Sequence, residues 1–304
     1  MVQPSDEVPV APPRRVVFTA LIGDYEALNE QPAATDSDVE FICFTDNLEI
    51  TSESWQLRHV EPRYPLDNIR SARYLKVHGP ELLTEFSESL WIDNSVLLKS
   101  DPARLLDAWL ESADFALPRH SYRTSVIGEF DAVATQGYDD PARVYEQLIH
   151  YSTLRPEVLR ERPYWTAMLA RRQTESVIVA MQLWLEHVLR YSRRDQLSIN
   201  FVLAESGIAV RGIELDNWTS EWHQWPHIGN RRWSVTHDRL ASALRIPSAD
   251  IGKLENAVQA LTDKVESLTG AADDERKLAE TYRTSVSWIV TRPFRVLWRA
   301  VARK

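Results

Sequence analysis

Near the start of the chain, three short apolar runs each stop abruptly at a glycine or an aspartate, and this pattern limits the fold more than any other feature. The runs are VVFTALI before Gly23, FICFT before Asp46 and LWI before Asp93. Continuous apolar runs of this length are typical of strands buried on both faces of a parallel sheet. Because parallel strands end at a common edge, we expect Gly23, Asp46 and Asp93 to lie at that edge.

Helical segments alternate with these strands. Residues 68–83 have helical spacing that stops near Gly79, and residues 101–112 begin with Asp101 as an N-cap followed by Pro102. Residues 113–120 predict a further strand, and residues 140–190 are predicted to be mainly helical. The alternation indicates an α/β domain with a mostly parallel central sheet flanked by helices, and a ligand site beyond the carboxyl ends of the strands.

The charge of the chain is unevenly distributed. A net charge of −9 over 304 residues argues against a nucleic-acid partner, because phosphate binding needs a basic surface. From Arg283 to the end, five arginines and one lysine stand without an acid, about +6, which leaves about −15 for the rest (−9 minus +6). An acidic body with a basic tail predicts two kinds of partner.

Cys43 is the single cysteine, which excludes an internal disulfide and a multi-cysteine zinc site and fits a reducing compartment. We expect it to pack as a small hydrophobic residue. Residues 1–14, rich in proline and acids, are predicted to be a disordered leader. The sequence has no apolar run long enough to span a membrane.

Residues 247–272 are predicted to form a coiled-coil helix, since apolar residues recur at alternating spacings of three and four. This pattern favours a parallel two-stranded coil, hence a homodimer or other homo-oligomer through residues 251–268. A single amphipathic helix lying on its own domain is the alternative. The apolar positions are Ile251, Leu254, Val258, Leu261, Val265 and Leu268.

Residues 273–304 are predicted to be a linker and a basic amphipathic helix beginning near Pro293. Its arginines and bulky apolar residues segregate only roughly. Because no acid accompanies them, the segment predicts a helix lying on an anionic membrane surface. A helix docked on the protein, with a solvated basic edge, is the alternative.

Asp93, Asn94 and Ser95 interrupt an apolar run where the ligand site is expected. A carboxylate there suits a hard cation such as Mg²⁺ or Mn²⁺, which would neutralise a diphosphate leaving group. The alternative is a turn in which these side chains hydrogen-bond their own backbone. The residues alone leave both open.

Three further polar groups carry potential chemistry, each beside a plainer structural alternative. Arg194 and Asp195 follow a long helix, where they could form a simple helix-end ion pair. Residues 222–233 combine histidines, a glycine and two arginines suited to phosphate contacts, or they form an aromatic structural knot. The cations spaced one helical turn apart between residues 70 and 76 could equally be a solvated face. They are Arg70, Arg73 and Lys76.

Taken in order, several segments resemble the hexosyltransferase-like family of bacterial and plant proteins long catalogued as a domain of unknown function, a relative of GT-A-fold glycosyltransferases. The resemblance covers residues 15–205 and rests on FICFTD, RSARYLKVHGPELL, SLWIDNSVLL, ALPRHSYRTSVIGEFDA and SRRDQLSINFVL. The end, SVSWIVTRPFRVLW, resembles a tail found on many bacterial surface-polysaccharide glycosyltransferases. The resemblance implies a GT-A-like, Rossmann-like domain over residues 15–246.

The resemblance also implies a nucleotide-sugar donor and a divalent cation, Mn²⁺ or Mg²⁺. Asp93 takes the place of the first aspartate of the Asp-x-Asp metal motif, but the second place is Ser95, which weakens the case for a tightly held ion. His227 resembles a late metal-binding histidine, so the implied ligands are Asp93, Ser95 and His227. The residues implied to bind the donor are Ala20, Gly23, Tyr25, Arg70, Arg73, Lys76, Asn94, Ser95, Arg231 and Arg232.

Asp195 and Gln196 resemble a segment beside the reacting sugar carbon in glycogenin-like enzymes. If Asp195 is a general base the reaction inverts, and if the site works like the glycogenin group it retains; the sequence leaves this open. Together with Asp93 they are the implied catalytic residues. The residues implied to bind acceptor or phosphate are His120, Arg123, Glu129 and Arg194, with a buried structural network equally open for Glu129.

We therefore expect a glycosyltransferase that transfers a hexose from a nucleotide sugar to a glycan or lipid-linked acceptor in bacterial cell-surface polysaccharide synthesis, as in lipopolysaccharide or capsule. It would work in the cytoplasm, at the inner face of the plasma membrane. The alternative is a non-catalytic sugar-nucleotide-binding or scaffolding subunit, which Ser95 keeps open.

Overall fold

The computed structural model describes residues 13–227 and 247–301, which belong to two compact units divided between residues 244 and 245. A twisted seven-stranded sheet forms the centre of the first unit. The strands in chain order are β1 (Arg15–Leu21), β2 (Glu40–Thr45), β3 (Gln56–His59), β4 (Glu88–Ile92), β5 (Leu97–Leu98), β6 (Phe115–Pro118), β7 (Met168–Arg172), β8 (Arg211–Ile213) and β9 (His223–Gln224). Their order in the large sheet is β3-β2-β1-β4-β7-β6-β8, and β7 alone of these runs antiparallel to its neighbours. β5 and β9 pair separately as a small antiparallel ribbon.

Helices cover both faces of the sheet. They are α1 (Asn68–His78), α2 (Pro102–Trp109), α3 (Val126–Thr135), α4 (Pro141–Leu154), α5 (Glu175–Arg190) and α6 (Gln196–Ser206), with short 3-10 helices at Pro32–Ala34, Gly79–Leu82 and Val158–Arg160. Side chains of β1 alternate between two cores: Val16 and Phe18 pack with α1, α5 and α6, whereas Val17 packs with α2. Burial on both faces explains the unbroken apolar run of β1 and confirms the predicted α/β class.

Several local predictions are confirmed. α1 ends at His78 and gives way to the 3-10 helix that contains Gly79. Asp101 caps α2 by accepting a hydrogen bond from Ala103 N at 3.0 Å, and Pro102 is its first residue. Cys43 is fully buried in the core on the α2 side, and this burial raises the pKa of its thiol to about 12.

The prediction that residues 140–190 are mainly helical is wrong at β7, which is inserted between β4 and β6. The sequence of the strand is MLARR, and its two arginines are not typical of a buried strand, although its first four residues are buried. Arg171 is almost completely buried because its guanidinium donates to the carbonyls of Lys76 and Val77 at the end of α1, at 2.6 and 3.0 Å. The buried guanidinium of Arg171 thus supplies hydrogen-bond donors to carbonyls in the last turn of α1.

The second unit consists of α7 (Pro247–Thr284), α8 (Val286–Val290) and α9 (Arg292–Val301). The heptad positions of α7 whose side chains the structure describes are exposed, namely Val258, Leu261, Val265 and Leu268. The Arg295 guanidinium lies 3.6 Å from the centre of the Trp288 ring and joins α9 to α8. Among the described residues, no helix is both long and apolar enough to cross a membrane.

In α9 the apolar and basic residues segregate sharply, not roughly as the sequence suggested. Positions 294, 297, 298 and 301 follow the i, i+3, i+4, i+7 spacing of one helical face, and they carry Phe, Leu, Trp and Val. The arginines at positions 292, 295 and 299 fall on the opposite side of the helix. The rings of Phe294 and Trp298 are exposed.

Candidate functional site

The residues that end β1 and β2 meet at the carboxyl edge of the sheet, as predicted. Gly23 N donates to Asp46 Oδ1 at 2.9 Å. Gly23 has a φ of 81°, and a Cβ at this position would lie 2.2 Å from the Nδ2 atom of Asn68 at the start of α1. The turn after β1 therefore requires a glycine, which lets the backbone pass close over α1.

Lys76 forms the centre of a charged cluster at the same edge. Its Nζ lies 2.5 Å from Asp195 Oδ2 and 3.4 Å from Asp93 Oδ1, and its side chain is 0% exposed. Asp93 Oδ1 also accepts a hydrogen bond from Trp91 Nε1 at 2.8 Å. Arg73 Nε lies 3.3 Å from Asp195 Oδ1. Helix α1, the end of β4 and the start of α6 thus bring two cations and two carboxylates together.

The Asp195 carboxylate faces α1 instead of capping its own helix. It occupies the N-cap position of α6 but makes no capping hydrogen bond. Burial raises its pKa, but the charges of Arg73 and Lys76 outweigh that effect and hold the pKa at about 2. A carboxylate that acidic is a weak base at neutral pH. The arrangement therefore suits Asp195 for holding cations and orienting hydroxyls, and less for abstracting a proton.

His120, Arg123 and Glu129 form a second cluster that joins the first. Arg123 Nε donates to Glu129 Oε2 at 3.0 Å, and Arg123 N donates to His120 Nδ1 at 3.2 Å. Burial lowers the pKa of His120 to about 4, so its imidazole is neutral at pH 7. Glu129 also hydrogen-bonds the side chain of Gln196, which follows Asp195 directly, and burial raises the pKa of Glu129. A continuous chain of polar side chains therefore runs from His120 to Asp93.

Asn94 and Ser95 tie the loops around Asp93 together. Asn94 Oδ1 accepts from Asn29 N, and its Nδ2 donates to Ala27 O, both at 2.9 Å. Ser95 Oγ accepts a hydrogen bond from the Trp225 indole at 3.1 Å. The backbone N of His227 donates to Ser95 O at 2.7 Å, so the described part of the 222–233 segment, residues 222–227, borders the Asp93 loop.

The comparisons with known proteins identify the family. The model of the TOD1/MUCI70 glycosyltransferase-like domain matches residues 2–211. The chain belongs to the TOD1/MUCI70 glycosyltransferase-like family. This match confirms the predicted family and its glycosyltransferase class, and the mostly parallel sheet agrees with the predicted GT-A-like fold.

One curated relative from this family is the probable hexosyltransferase MUCI70 of Arabidopsis thaliana. It is 28% identical over 163 residues, which make up 50% of this chain and 27% of the relative. The match thus spans about a quarter of the plant protein's length.

Two solved structures are similar in part. The apo bifunctional glycosyltransferase WbbM has a TM-score of 0.42 and 12% identity, covering 68% of this chain and 39% of that one. Mouse xyloside xylosyltransferase 1 in its apo form has a TM-score of 0.37 and 10% identity, covering 67% and 88%.

The side chains described at this TOD1/MUCI70-family site do not by themselves fit a divalent cation. Among the described residues, no group of three or more His, Cys, Asp or Glu side chains is placed to hold a metal. Asp93 Oδ1 already has Trp91 and Lys76 as neighbours, and Ser95 Oγ accepts from Trp225. The metal and its ligands Asp93, Ser95 and His227 stay a prediction.

Two residues implied to bind the donor lie elsewhere. Ala20 is buried in the core on the side of α1 and α5, because it alternates in step with Phe18 along β1. Arg70 donates to the carbonyls of Val188 and Tyr191 at 3.0 and 2.8 Å, so its guanidinium closes the end of α5.

The remaining donor-binding assignments stay predictions. Tyr25 is 40% exposed. Burial and the neighbouring Glu26 raise the pKa of its phenol, and Arg73 and Asp93 act on it more weakly, so Tyr25 lies beside the charged cluster. Both side-chain groups of Asn94 already have protein partners. Arg231 and Arg232 lie outside the described residues.

Sequence reasoning missed the part played by Trp91 and Trp225. The sequence analysis treated Trp91 as part of an apolar strand and Trp225 as part of an aromatic segment, although their indole N–H groups donate to Asp93 and Ser95. A buried tryptophan needs an acceptor for its N–H. For Trp91, the signal available in the sequence was thus a tryptophan two residues before Asp93 in an otherwise apolar strand.

Proposed function

We propose that this chain transfers a hexose from a nucleotide sugar to a glycan or lipid-linked acceptor in bacterial cell-surface polysaccharide synthesis. The observation that carries the proposal is the charged cluster of Arg73, Lys76, Asp93 and Asp195 at the carboxyl edge of the sheet of a glycosyltransferase-family domain. Ligands of open α/β sheets bind at this edge.

Hexosyl transfer breaks the bond between the anomeric carbon and the donor's diphosphate, forms a bond from that carbon to an acceptor oxygen, and releases the acceptor's hydroxyl proton to the leaving diphosphate. Negative charge then develops on the leaving diphosphate, and cations fixed in advance stabilise it. Arg73 is suited to touch the phosphates, since 17% of its side chain is exposed, whereas the Lys76 side chain is wholly buried. Asp195 would hold both cations in place, with Gln196 beside the sugar.

A divalent cation remains part of the proposal as a partner of the donor. Mg²⁺ is commonly bound by one or two carboxylates together with substrate phosphates. Asp93, with 29% of its side chain exposed, is the carboxylate of the cluster best placed to contribute. If present, the cation would neutralise charge on the diphosphate.

The second unit would bring the enzyme to its acceptor. The sharply amphipathic α9, with an apolar face and arginines on the opposite side, is suited to lie on the anionic inner surface of the bacterial plasma membrane, where a lipid-linked acceptor would reside. The exposed apolar stripe of α7 would pair two copies of the chain as a coiled coil.

Substitution of the cluster's carboxylates tests the proposal. Asp195→Asn and Asp93→Asn should each lower nucleotide release from the active nucleotide sugar by about 100-fold or more, because charge stabilisation at the leaving group is disturbed. The assay uses UDP-, GDP- and dTDP-sugars with and without Mn²⁺. The control is Asp107→Asn, a largely exposed carboxylate that pairs with Arg15 on the surface.

Unchanged turnover in both folded variants would reject this site. Nucleotide sugars that bind the wild type, raising its melting temperature, without ever being turned over would instead support the non-catalytic binding or scaffolding subunit.

A further inference from the structure

Two aromatic rings are stacked on the surface of the first unit. Trp218 is 47% exposed and Tyr122 is 44% exposed. Their ring centres are 5.3 Å apart and their planes differ by 22°. Folding alone gives little reason to leave two stacked rings in water, and exposed apolar patches of this kind mark binding surfaces.

The stack is continuous with the candidate site at both ends. The His120 ring lies 4.2 Å from Tyr122, and the Arg123 guanidinium, which pairs with Glu129, lies 5.8 Å from it. At the other end, Trp218 is 5.0 Å from Trp225, whose indole donates to Ser95. The rings of Tyr122, Trp218 and Trp225 are here called the aromatic row. The row therefore extends from the Arg123–Glu129 pair to Ser95, two residues after Asp93.

Hydrogen bonds hold the row in place. Asn217 is fully buried, and its side-chain amide accepts from Ser121 N at 2.6 Å and donates to Arg119 O at 3.0 Å. Trp225 N donates to Trp218 O at 2.8 Å. The rings thus sit on loops that are fixed before any ligand arrives, which lowers the entropy cost of binding.

We propose that the aromatic row is the acceptor subsite and that it stacks on pyranose rings of a glycan. The inference rests on the proposed function, since it assigns an acceptor to the same site. A pyranose ring has an apolar C–H face that packs on an aromatic ring and a polar rim that needs hydrogen bonds. The aromatic row provides the rings on which the C–H face packs, and Arg123 with Glu129 provides hydrogen bonds to the polar rim. The Glu129 carboxylate favours a neutral glycan over the phosphates of a nucleotide.

The test uses saturation-transfer NMR on the full chain with the methyl glycosides of glucose, galactose, mannose and N-acetylglucosamine at millimolar concentration. At least one glycoside should bind the wild type. Trp218→Ala and Tyr122→Ala should weaken that binding by about 3- to 10-fold, the range expected for loss of one aromatic contact. Trp218→Phe should keep most of it. Tyr282→Ala, an exposed tyrosine of α7, is the matched control and should bind like the wild type.

Each outcome decides one proposal separately. Absence of glycoside binding to the wild type, or equal binding by Trp218→Ala, overturns the aromatic row, and so does displacement of the glycoside by UMP. Donor hydrolysis to water, measured on the wild type, tests the proposed function separately from the aromatic row. If no nucleotide sugar is hydrolysed but glycosides bind the row, the proposed function fails and the row stands as a glycan-binding surface.

Discussion

At Lys76, a fully buried ammonium lies between two carboxylates, and this single residue sets the charge balance of the site. Removing one partner of a buried ion pair leaves an uncompensated charge, whereas removing both can cost little. Lys76 is therefore needed both for the stability of the fold and for the charge arrangement of the proposed site.

Lys76→Met should lower the free energy of unfolding by about 3–5 kcal/mol, because Asp195 loses its nearest cation inside the protein. The double variant Lys76→Met with Asp195→Asn should lose less than the sum of the two single changes. Urea denaturation measures all three. Arg14→Met, which removes an exposed pair with Glu40, is the control and should cost less than about 1 kcal/mol. Strict additivity would contradict the proposed coupling.

His187 makes stability depend on pH. Burial, with a smaller contribution from His150, lowers its pKa to about 4, and its Nδ1 lies 2.7 Å from the Tyr151 hydroxyl. Between the unfolded pKa of about 6.5 and the folded value, the unfolded state binds the proton and the folded state does not. The free energy of unfolding should therefore fall as the pH falls through this window, by up to about 1.4 kcal/mol per pH unit. Denaturation curves at several pH values should show a shallower fall in His187→Gln, and an unchanged slope would refute the assignment.

At the scale of elements, the turn after β1 needs a glycine for two reasons, since Gly23 has a positive φ and a Cβ there would clash with Asn68. A second glycine, Gly207, shares only the positive φ. Gly207, which ends α6, has a φ of 64° but no atom within 4 Å of a built Cβ. Gly207→Ala should cost only the left-handed conformation, about 1 kcal/mol. Gly23→Ala should cost about 2–4 kcal/mol, because it adds the clash with Asn68. Thermal denaturation distinguishes them, and Asn68→Ala should restore part of the loss at Gly23. Equal costs would show that the clash is unimportant.

The elements also show how far sequence reasoning reaches. β1, β2 and β4 were predictable because strands buried on both faces leave unbroken apolar runs, and their ends correctly located Asp93. β7 was not, because Arg171 is satisfied by the carbonyls of α1, a long-range contact that no local pattern reveals. The pairing of Lys76 with Asp195 was hidden for the same reason. The sequence indicated candidate site residues but not which of them meet in the structure.

For the whole molecule, α7 is expected to set the oligomeric state. Light scattering coupled to size exclusion should give the mass of a dimer for the wild type. Leu261→Lys with Leu268→Lys should give the monomer, since both positions lie on the exposed apolar stripe. Asp263→Lys, on the opposite side of the helix, is the control and should remain dimeric. A monomeric wild type would favour the single-helix alternative.

The basic helix α9 is expected to direct the molecule to anionic lipid. Flotation should recover the protein with vesicles of phosphatidylcholine and phosphatidylglycerol but not with phosphatidylcholine alone. Phe294→Ser with Trp298→Ser should abolish recovery, and Arg292→Ser should weaken it about fivefold, since each cation near such a surface contributes about 1 kcal/mol. Tyr282→Ser, in α7, is the control. Equal binding to neutral vesicles would contradict the electrostatic part of the proposal.

The side chain of Asp195 does not cap its own helix, and this limits which substitutions the family can accept during evolution. The Asp195 carboxylate makes no capping hydrogen bond to α6 and instead contacts two cations of α1, Arg73 and Lys76. A substitution of Lys76 would leave the buried carboxylate with Arg73 as its remaining cation, unless position 195 or 93 changed as well. Among relatives, these positions should therefore vary together or not at all.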